Sequence, residues 1–174
     1  MAYRQLFIWV EGEDDRRLLE QVKEELFGAK YDWIRVLPYA QEKPEKVCAF
    51  VQSIERMGAE YIFLRDLNSA PCVSERKRST CRDWEGVDGE RIVVIAPEVE
   101  SWYGAGLAPS AWQELGVRRP PSLSRLTKEK FETLRPPRFG SGLDFKIEML
   151  KRFSVQTAKA NSASFAYLVR KFDP

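Results

Sequence analysis

Histidine is missing from the 174-residue sequence. Its absence excludes serine–histidine triads, histidine general bases and metal sites built on imidazole. Cysteine is scarce, and Cys48, Cys72 and Cys81 show no paired close spacing, which argues against a disulfide framework or a zinc site. Any catalysis must therefore depend on carboxylates, lysine, arginine, hydroxyl groups or a bound metal.

Long apolar runs and a signal-peptide pattern are also missing, so we expect a soluble cytoplasmic protein without a membrane partner. The sequence contains neither a Gly-x-x-x-x-Gly-Lys loop nor a Gly-x-Gly-x-x-Gly fingerprint. This lowers the weight of a small-molecule phosphotransfer or nucleotide-processing enzyme without removing it. The hydrophobic content of 44% suits one domain of ordinary size.

Charge is distributed unevenly along the chain, although the formal net charge is only +2. Residues 1–115 carry 15 basic and 21 acidic side chains, whereas residues 116–174 carry 13 basic and 5 acidic ones. An acidic part beside a basic part is typical of a metal site served by a phosphate-binding surface. The same pattern also occurs in proteins that bind no nucleic acid.

Short apolar runs alternate with helical patterns in the first part of the chain. The predicted strands are Leu6–Val10, Asp32–Tyr39, Tyr61–Leu64 and Arg91–Ala96. This alternation predicts an α/β fold with a four-stranded, mainly parallel sheet flanked by helices. For Glu11 and Asp66, which follow the first and third strands, to meet at one edge, those strands must be neighbours, which gives the expected order 2-1-3-4. Residues 1–115 are predicted to form this core, and residues 116–174 a basic helical extension packed on it as part of one compact domain.

Acidic side chains follow three of the four predicted strands. Glu11 follows the first, Asp66 with Asn68 the third, and Glu98 with Glu100 the fourth. The carboxyl ends of parallel strands are where open α/β sheets place their chemistry. Oxygen donors gathered there are suited to a hard divalent cation.

Two local alternatives remain open at these strand ends. Asp66 and Asn68 could face one cation, because positions i and i+2 of an extended chain point the same way, or they could only cap a turn. Asp15 lies four residues after Glu11, so a strand-end acid and a first-turn acid could converge on one ion. Glu13 and Asp14 are interpreted only as acids at a helix start.

The acidic strand ends resemble the Toprim (topoisomerase–primase) pattern over roughly residues 5–108. The motifs are Glu11-Gly12, Asp66-x-Asn68 and Glu98-x-Glu100-Ser101-Trp102. Within that superfamily the chain is similar to small stand-alone Toprim-like proteins and to the nuclease domain of the overcoming-lysogenisation-defect family. The resemblance implies a parallel Rossmann-like sheet, Mg²⁺ or Mn²⁺, and phosphodiester hydrolysis or transfer on nucleic acid.

The same resemblance implies roles for individual residues. Glu11 matches a glutamate that ligates metal or transfers a proton, Asp15 a further acid of the nuclease branch, and Asp66 the first acid of the Asp-x-Asp motif. Asn68 stands in place of the second acid, which would weaken a second metal because an amide contributes no charge. Glu98 and Glu100 share the fourth-strand position, and the Glu-x-Trp spacing favours Glu100.

The resemblance also implies a basic residue beside the scissile phosphate, for which Lys146, Lys151 and Lys159 compete. Lys146 and Lys151 are the predicted catalytic candidates. The predicted nucleic-acid contacts are Arg76, Lys77, Arg78, Lys146, Lys151 and Lys159. The alternative function is a Toprim-like module that binds nucleic acid or nucleotide without cleaving it, as Asn68 would suggest. A partner protein in a larger complex is a further expectation, and the oligomeric state is left open.

Overall fold

The computed structural model describes residues 3–172, which group into two compact units: residues 3–95 with 171–172, and residues 96–170. The predicted boundary after residue 115 lies later than this division. The difference arises because the helices that follow the fourth strand pack within the second unit, where Trp102 meets Phe165 edge-on with ring centroids 5.1 Å apart.

The first unit contains a four-stranded sheet of order β2-β1-β3-β4 with every neighbouring pair parallel. Its strands are β1 (Gln5–Val10), β2 (Trp33–Pro38), β3 (Glu60–Asp66) and β4 (Ile92–Ile95). The predicted fold class and strand order are therefore confirmed. Strands β1 and β3 are neighbours, with Ile8 opposite Ile62, so their carboxyl ends meet at one edge of the sheet.

Helices connect these strands, as parallel pairing requires. They are α1 (Glu13–Phe27), α2 (Pro44–Arg56) and α3 (Val73–Asp83). In α1, Leu18, Leu19 and Val22 recur at helical spacing and are buried. Pro44 starts α2, where a missing N–H costs nothing, and Gly58 with φ +70° follows its end.

The opposite, amino-terminal edge of the sheet carries an ion-pair cluster around Glu60. Its carboxylate accepts from Arg4 at 3.0 Å and from Arg91 at 3.2 Å. Burial alone would raise the pKa of Glu60, but the two arginines and Tyr31 outweigh it and lower that pKa. Burial, and then the charge of Glu60, raises the pKa of Tyr31 to about 12. The cluster therefore lies at the opposite end of the sheet from Glu11 and Asp66.

The second unit consists of short helices. They are α4 (Val99–Ala105), α5 (Pro109–Glu114), α6 (Lys128–Leu134), α7 (Gly142–Leu150), α8 (Val155–Asn161) and α9 (Ala163–Phe172), of which residues 171 and 172 group with the first unit. Thr127 caps α6, because its hydroxyl accepts from the Lys130 N–H at 3.5 Å. Phe131 and Phe145 pack at 5.1 Å between ring centroids and are fully buried.

Membrane-spanning helices were not expected from the sequence. Within residues 3–172, none of the helices combines the length and apolarity needed to cross a bilayer.

Candidate functional site

Glu11 and Asp66 meet at the carboxyl-terminal edge of the sheet. Glu11 directly follows β1 and Asp66 ends β3. The Asp66 backbone N–H donates to Glu11 Oε2 at 3.4 Å, and both residues are half-buried. The parallel pairing of β1 with β3 thus brings two predicted site residues, 55 positions apart in the chain, within contact distance.

Asp15 is fixed at the start of α1. It is 5% exposed, and its Oδ2 accepts from the Gly12 N–H at 3.2 Å. A carboxylate at this position also suits the positive end of the helix dipole. Glu11 and Asp15 thus belong to one strand–turn–helix corner. A cation shared between them stays a prediction.

Arg65 and Tyr39 adjoin this corner and were not singled out from the sequence. The Tyr39 hydroxyl donates to the Leu64 carbonyl at 2.8 Å, and burial followed by the charge of Glu11 raises the pKa of Tyr39. Burial by itself would lower the pKa of Arg65, but Tyr39, Glu11 and Asp83 together raise it. Arg65 therefore stays positively charged in the electrostatic field of Glu11. The sequence signal that could have identified Arg65 is its position directly before Asp66, the acid at the end of the strand.

Asn68 lies in the exposed loop after β3 with a left-handed φ of +49°. Asparagine tolerates this region better than most residues do. The loop is held to α3, because Arg76 Nε donates to the Asp66 carbonyl oxygen at 2.6 Å. The turn interpretation and the ligand interpretation of Asn68 are both compatible with this backbone.

The oxygen donors at this edge suit a hard divalent ion that takes only a few of its ligands from the protein. Across residues 3–172, no group of three or more aspartate, glutamate or cysteine side chains is gathered as a metal site. Mg²⁺ keeps several water ligands and is commonly held by one or two carboxylates with substrate phosphates. The Glu11–Asp66 pair fits that kind of site, with oxygen donors only. It does not fit a closed protein cage.

Glu98 and Glu100 occur at the start of α4 in the second unit. Glu98 Oε2 accepts from the Lys128 backbone N–H at 2.6 Å. Glu100 is 3% exposed and its Oε1 lies 2.8 Å from Lys146 Nζ, with Lys146 equally buried. The Tyr103 and Phe131 rings lie 5.8 and 5.2 Å from that ammonium group. Glu100 therefore has a cation of its own, and its predicted role as a metal ligand remains a prediction.

The predicted basic contacts have different surroundings. Lys146 is enclosed with Glu100, whereas Lys151 is exposed and pairs with Glu148. Lys159 is half-buried in the last turn of α8. On α3, Arg78 and Arg82 both pair with Glu75, at 2.9 and 3.6 Å.

These surroundings change which basic side chains can reach a phosphate backbone. Lys146 is 3% exposed and is the internal counter-charge of Glu100; its predicted catalytic role and its predicted contact with nucleic acid stay predictions. Arg76 and Lys77 are half-buried, and Arg78 is exposed. The predicted contact of Arg76, Lys77 and Arg78 with nucleic acid stays a prediction.

Comparison with known proteins gave one structural likeness. No protein-family model and no curated protein matches the sequence. The structure is similar to the C-terminal region of the Burkholderia pseudomallei OLD protein, with a TM-score of 0.43 and 16% sequence identity, over 99% of this chain and 96% of that one. The fold class rests on the strand order and parallel register described above.

Proposed function

We propose that this protein is a divalent-metal-dependent phosphodiesterase acting on nucleic acid, with Glu11 and Asp66 as the core of its metal site. The observation that supports this most is the 3.4 Å contact between the Asp66 N–H and Glu11 Oε2 at the carboxyl end of two adjacent parallel strands. A site of this chemistry belongs at such an edge.

Glu11 and Asp66 would hold Mg²⁺ or Mn²⁺ through carboxylate oxygens, and Asn68 could add a neutral amide oxygen. The metal, when bound, would polarise a phosphate and lower the pKa of an attacking water. Glu11 would also be placed to accept a proton. Arg65, kept charged beside Glu11, would offset the negative charge of the two carboxylates and limit their repulsion before a cation binds.

The number of metal ions follows from the donor set. Two carboxylates and one amide supply enough oxygen for one hydrated Mg²⁺ with a substrate phosphate. A second ion would need further acids, and Asn68 offers none. Asp15, Glu98 and Glu100 are the remaining predicted ligands; Asp15 already accepts from the Gly12 N–H, and Glu100 is already neutralised by Lys146. We therefore favour a one-metal site.

A second candidate is a module that binds nucleic acid without cleaving it. Two observations favour it: Asn68 replaces an acid, and residues 3–172 contain no cluster of three carboxylates that would hold a metal. Carboxylates left without a metal would only cap the strand and helix ends. Cleavage under a divalent metal separates the two candidates.

The test is a cleavage assay on a panel of single- and double-stranded DNA and RNA, with Mg²⁺, Mn²⁺ or EDTA. We expect metal-dependent cleavage by the unmodified protein, and its loss in Asp66→Ala and Glu11→Gln by at least about 100-fold, the upper end of the loss seen when even an outer-shell partner of a metal ligand is removed. Asp14→Ala is the matched control, since Asp14 pairs with Arg17 at 2.8 Å on α1 and has no assigned role.

The proposal fails if the unmodified protein cleaves none of these substrates under either metal while binding them. That result would select the binding module. It would also fail if Asp66→Ala and Asp14→Ala lost activity equally, because the effect would then come from general loss of acidic charge or stability.

A further inference from the structure

A basic groove lies in the second unit, between the end of α5 and the end of α6. Its volume is about 900 Å³. It contains four cationic side chains and two hydroxyl groups, which are Arg118, Arg119, Arg125, Lys130, Ser122 and Thr133. Prolines and leucines complete the lining, and none of its lining residues is acidic or aromatic. None of these groups was singled out from the sequence.

The four cations of the basic groove are exposed, and the salt bridges found within residues 3–172 involve none of them. Two other arginines of the second unit do form ion pairs: Arg135 pairs with Glu132 at 3.4 Å, and Arg152 pairs with Glu114 at 2.9 Å. Four like charges that share one concave surface repel one another, and an anion that enters relieves the repulsion.

The segment that carries these charges is anchored by buried apolar side chains and by a restricted backbone. Gly116, with φ +72°, ends α5, and Pro120–Pro121 restrict the backbone that follows. Leu123, Leu126 and Phe131 are 6%, 2% and 0% exposed. Apolar anchors on one side and cations on the other give a fixed surface rather than a mobile tail.

We infer that the basic groove binds the sugar–phosphate backbone of a nucleic acid, without reading its sequence. This inference rests on the proposed function, which supplies the ligand class, and it assigns the binding surface to residues of the second unit. Three of the four cations are arginines, whose planar fork matches phosphate in two-point contacts. Serine and threonine hydroxyls add the neutral donors common at phosphate contacts.

The residue types that line the basic groove also predict which polyanions bind to it most tightly. Protein partners are typically anchored by buried aromatic side chains, and single-strand binders stack bases on aromatic rings. The basic groove offers neither. We therefore expect duplex to bind better than a single strand of equal length, and both to bind better than an acidic peptide of equal charge.

The experiment measures fluorescence anisotropy of a labelled mixed-sequence duplex at several salt concentrations, without divalent metal. The groove variant is R118Q/R119Q/R125Q/K130Q. The control variant is R35Q/K43Q/K46Q/R56Q, which removes the same charge from exposed positions of the first unit that have no assigned binding role. We expect the groove variant to bind at least about 30-fold more weakly at low salt and to lose about three to four units of the log–log salt slope, near 0.9 for each phosphate contact. The control variant should change binding by less than about threefold.

A second variant, Ser122→Glu, guards against misfolding of the fourfold change. It adds one carboxylate among the four cations, and we expect a loss of affinity of about tenfold with an unchanged thermal melt. The inference is overturned if the two fourfold variants lose affinity equally, if the unmodified protein does not bind duplex at 50 mM salt, or if poly-glutamate of equal charge competes better than duplex.

Failure of this inference can be told apart from failure of the metal site. Hydrolysis of bis(p-nitrophenyl) phosphate needs no extended binding surface, so the groove variant should keep it. Duplex binding without any hydrolysis would retain the basic groove and reject the phosphodiesterase. If the unmodified protein hydrolyses the ester and the groove variant binds duplex as tightly as the unmodified protein does, the phosphodiesterase is retained and the basic groove is rejected.

Discussion

Two glutamates predicted as metal ligands have opposite surroundings. Glu11, at the end of β1 in the first unit, is half-buried and accepts a 3.4 Å hydrogen bond from a neutral backbone N–H. Glu100, in the first turn of α4 in the second unit, is 3% exposed and lies 2.8 Å from the ammonium of Lys146. Glu11 forms no salt bridge within residues 3–172, although Arg65 contributes to its field.

The difference teaches which acid is available to a ligand. A buried carboxylate with its own buried cation is already neutralised, and separating that pair leaves a charge in a low-dielectric interior. A half-buried carboxylate that accepts from a backbone N–H can coordinate a metal without separating an internal ion pair. Glu100 is thus the acid with an internal counter-ion, and Glu11 is the more accessible candidate ligand; both ligand roles stay predictions.

The largest expected effect comes from breaking the buried pair. Lys146→Met should lower the free energy of unfolding by about 3–5 kcal/mol, because Glu100 is left as an unpaired buried charge. Urea titration followed by circular dichroism measures this. Lys151→Met is the control on the same helical segment: its pair with Glu148 is exposed, so its unfolding midpoint should stay unchanged within error.

The pair can also be replaced as a whole. In E100L/K146M no charge is left behind, and the stability should return to within about 1 kcal/mol of the unmodified protein. If the double variant were as unstable as Lys146→Met, simple packing loss would explain both, and the contrast between the two glutamates would lose its electrostatic basis.

A smaller effect is expected from Mg²⁺ at the Glu11–Asp66 edge. If the ion binds with a dissociation constant of about 1 mM, 10 mM Mg²⁺ adds about 1.4 kcal/mol of stability. For a chain of this length that raises the melting temperature by about 3–6 °C. Differential scanning calorimetry should show this shift in the unmodified protein and in E100L/K146M, and none in Asp66→Ala.

The reverse pattern would contradict our assignment. A shift that survives Asp66→Ala but disappears in E100L/K146M would make Glu100 the ligand and Asp66 a turn residue.

The smallest expected effect concerns Asn68. Its left-handed backbone is accessible to aspartate as well as asparagine, so Asn68→Asp adds a carboxylate without backbone strain. We expect Mg²⁺ affinity, measured by isothermal titration calorimetry, to rise about three- to tenfold. Asn68→Val should instead destabilise the loop, since a β-branched residue is strained at positive φ. Unchanged affinity in Asn68→Asp would place position 68 outside the ligand set.

The strands could be predicted from the sequence, because apolar runs separated by helical patterns are local signals of hydrophobic periodicity. Their order followed from the expected meeting of Glu11 with Asp66, which requires the first and third strands to be neighbours and leaves few parallel sheets.

Charge pairing could not be predicted in the same way, because it depends on contacts between distant residues. Lys146 resembles any lysine of an amphipathic helix, although its spacing to Met149 and Leu150 places it on the buried face of α7. The basic run on α3 stood out in the sequence, yet Glu75 pairs with Arg78 and Arg82. The basic groove was missed because its cations are scattered between prolines and become neighbours only in the fold.

The cluster around Glu60 gives the sheet an acid-sensitive end. Because contacts with Arg4 and Arg91 hold the pKa of Glu60 below its usual 4.5, its contribution to stability is complete above that value and is lost as the pH falls through the lowered pKa. Below that lowered pKa the amino-terminal end of β3 loses the attraction between Glu60 and its two arginines, at the end of the sheet opposite Glu11 and Asp66.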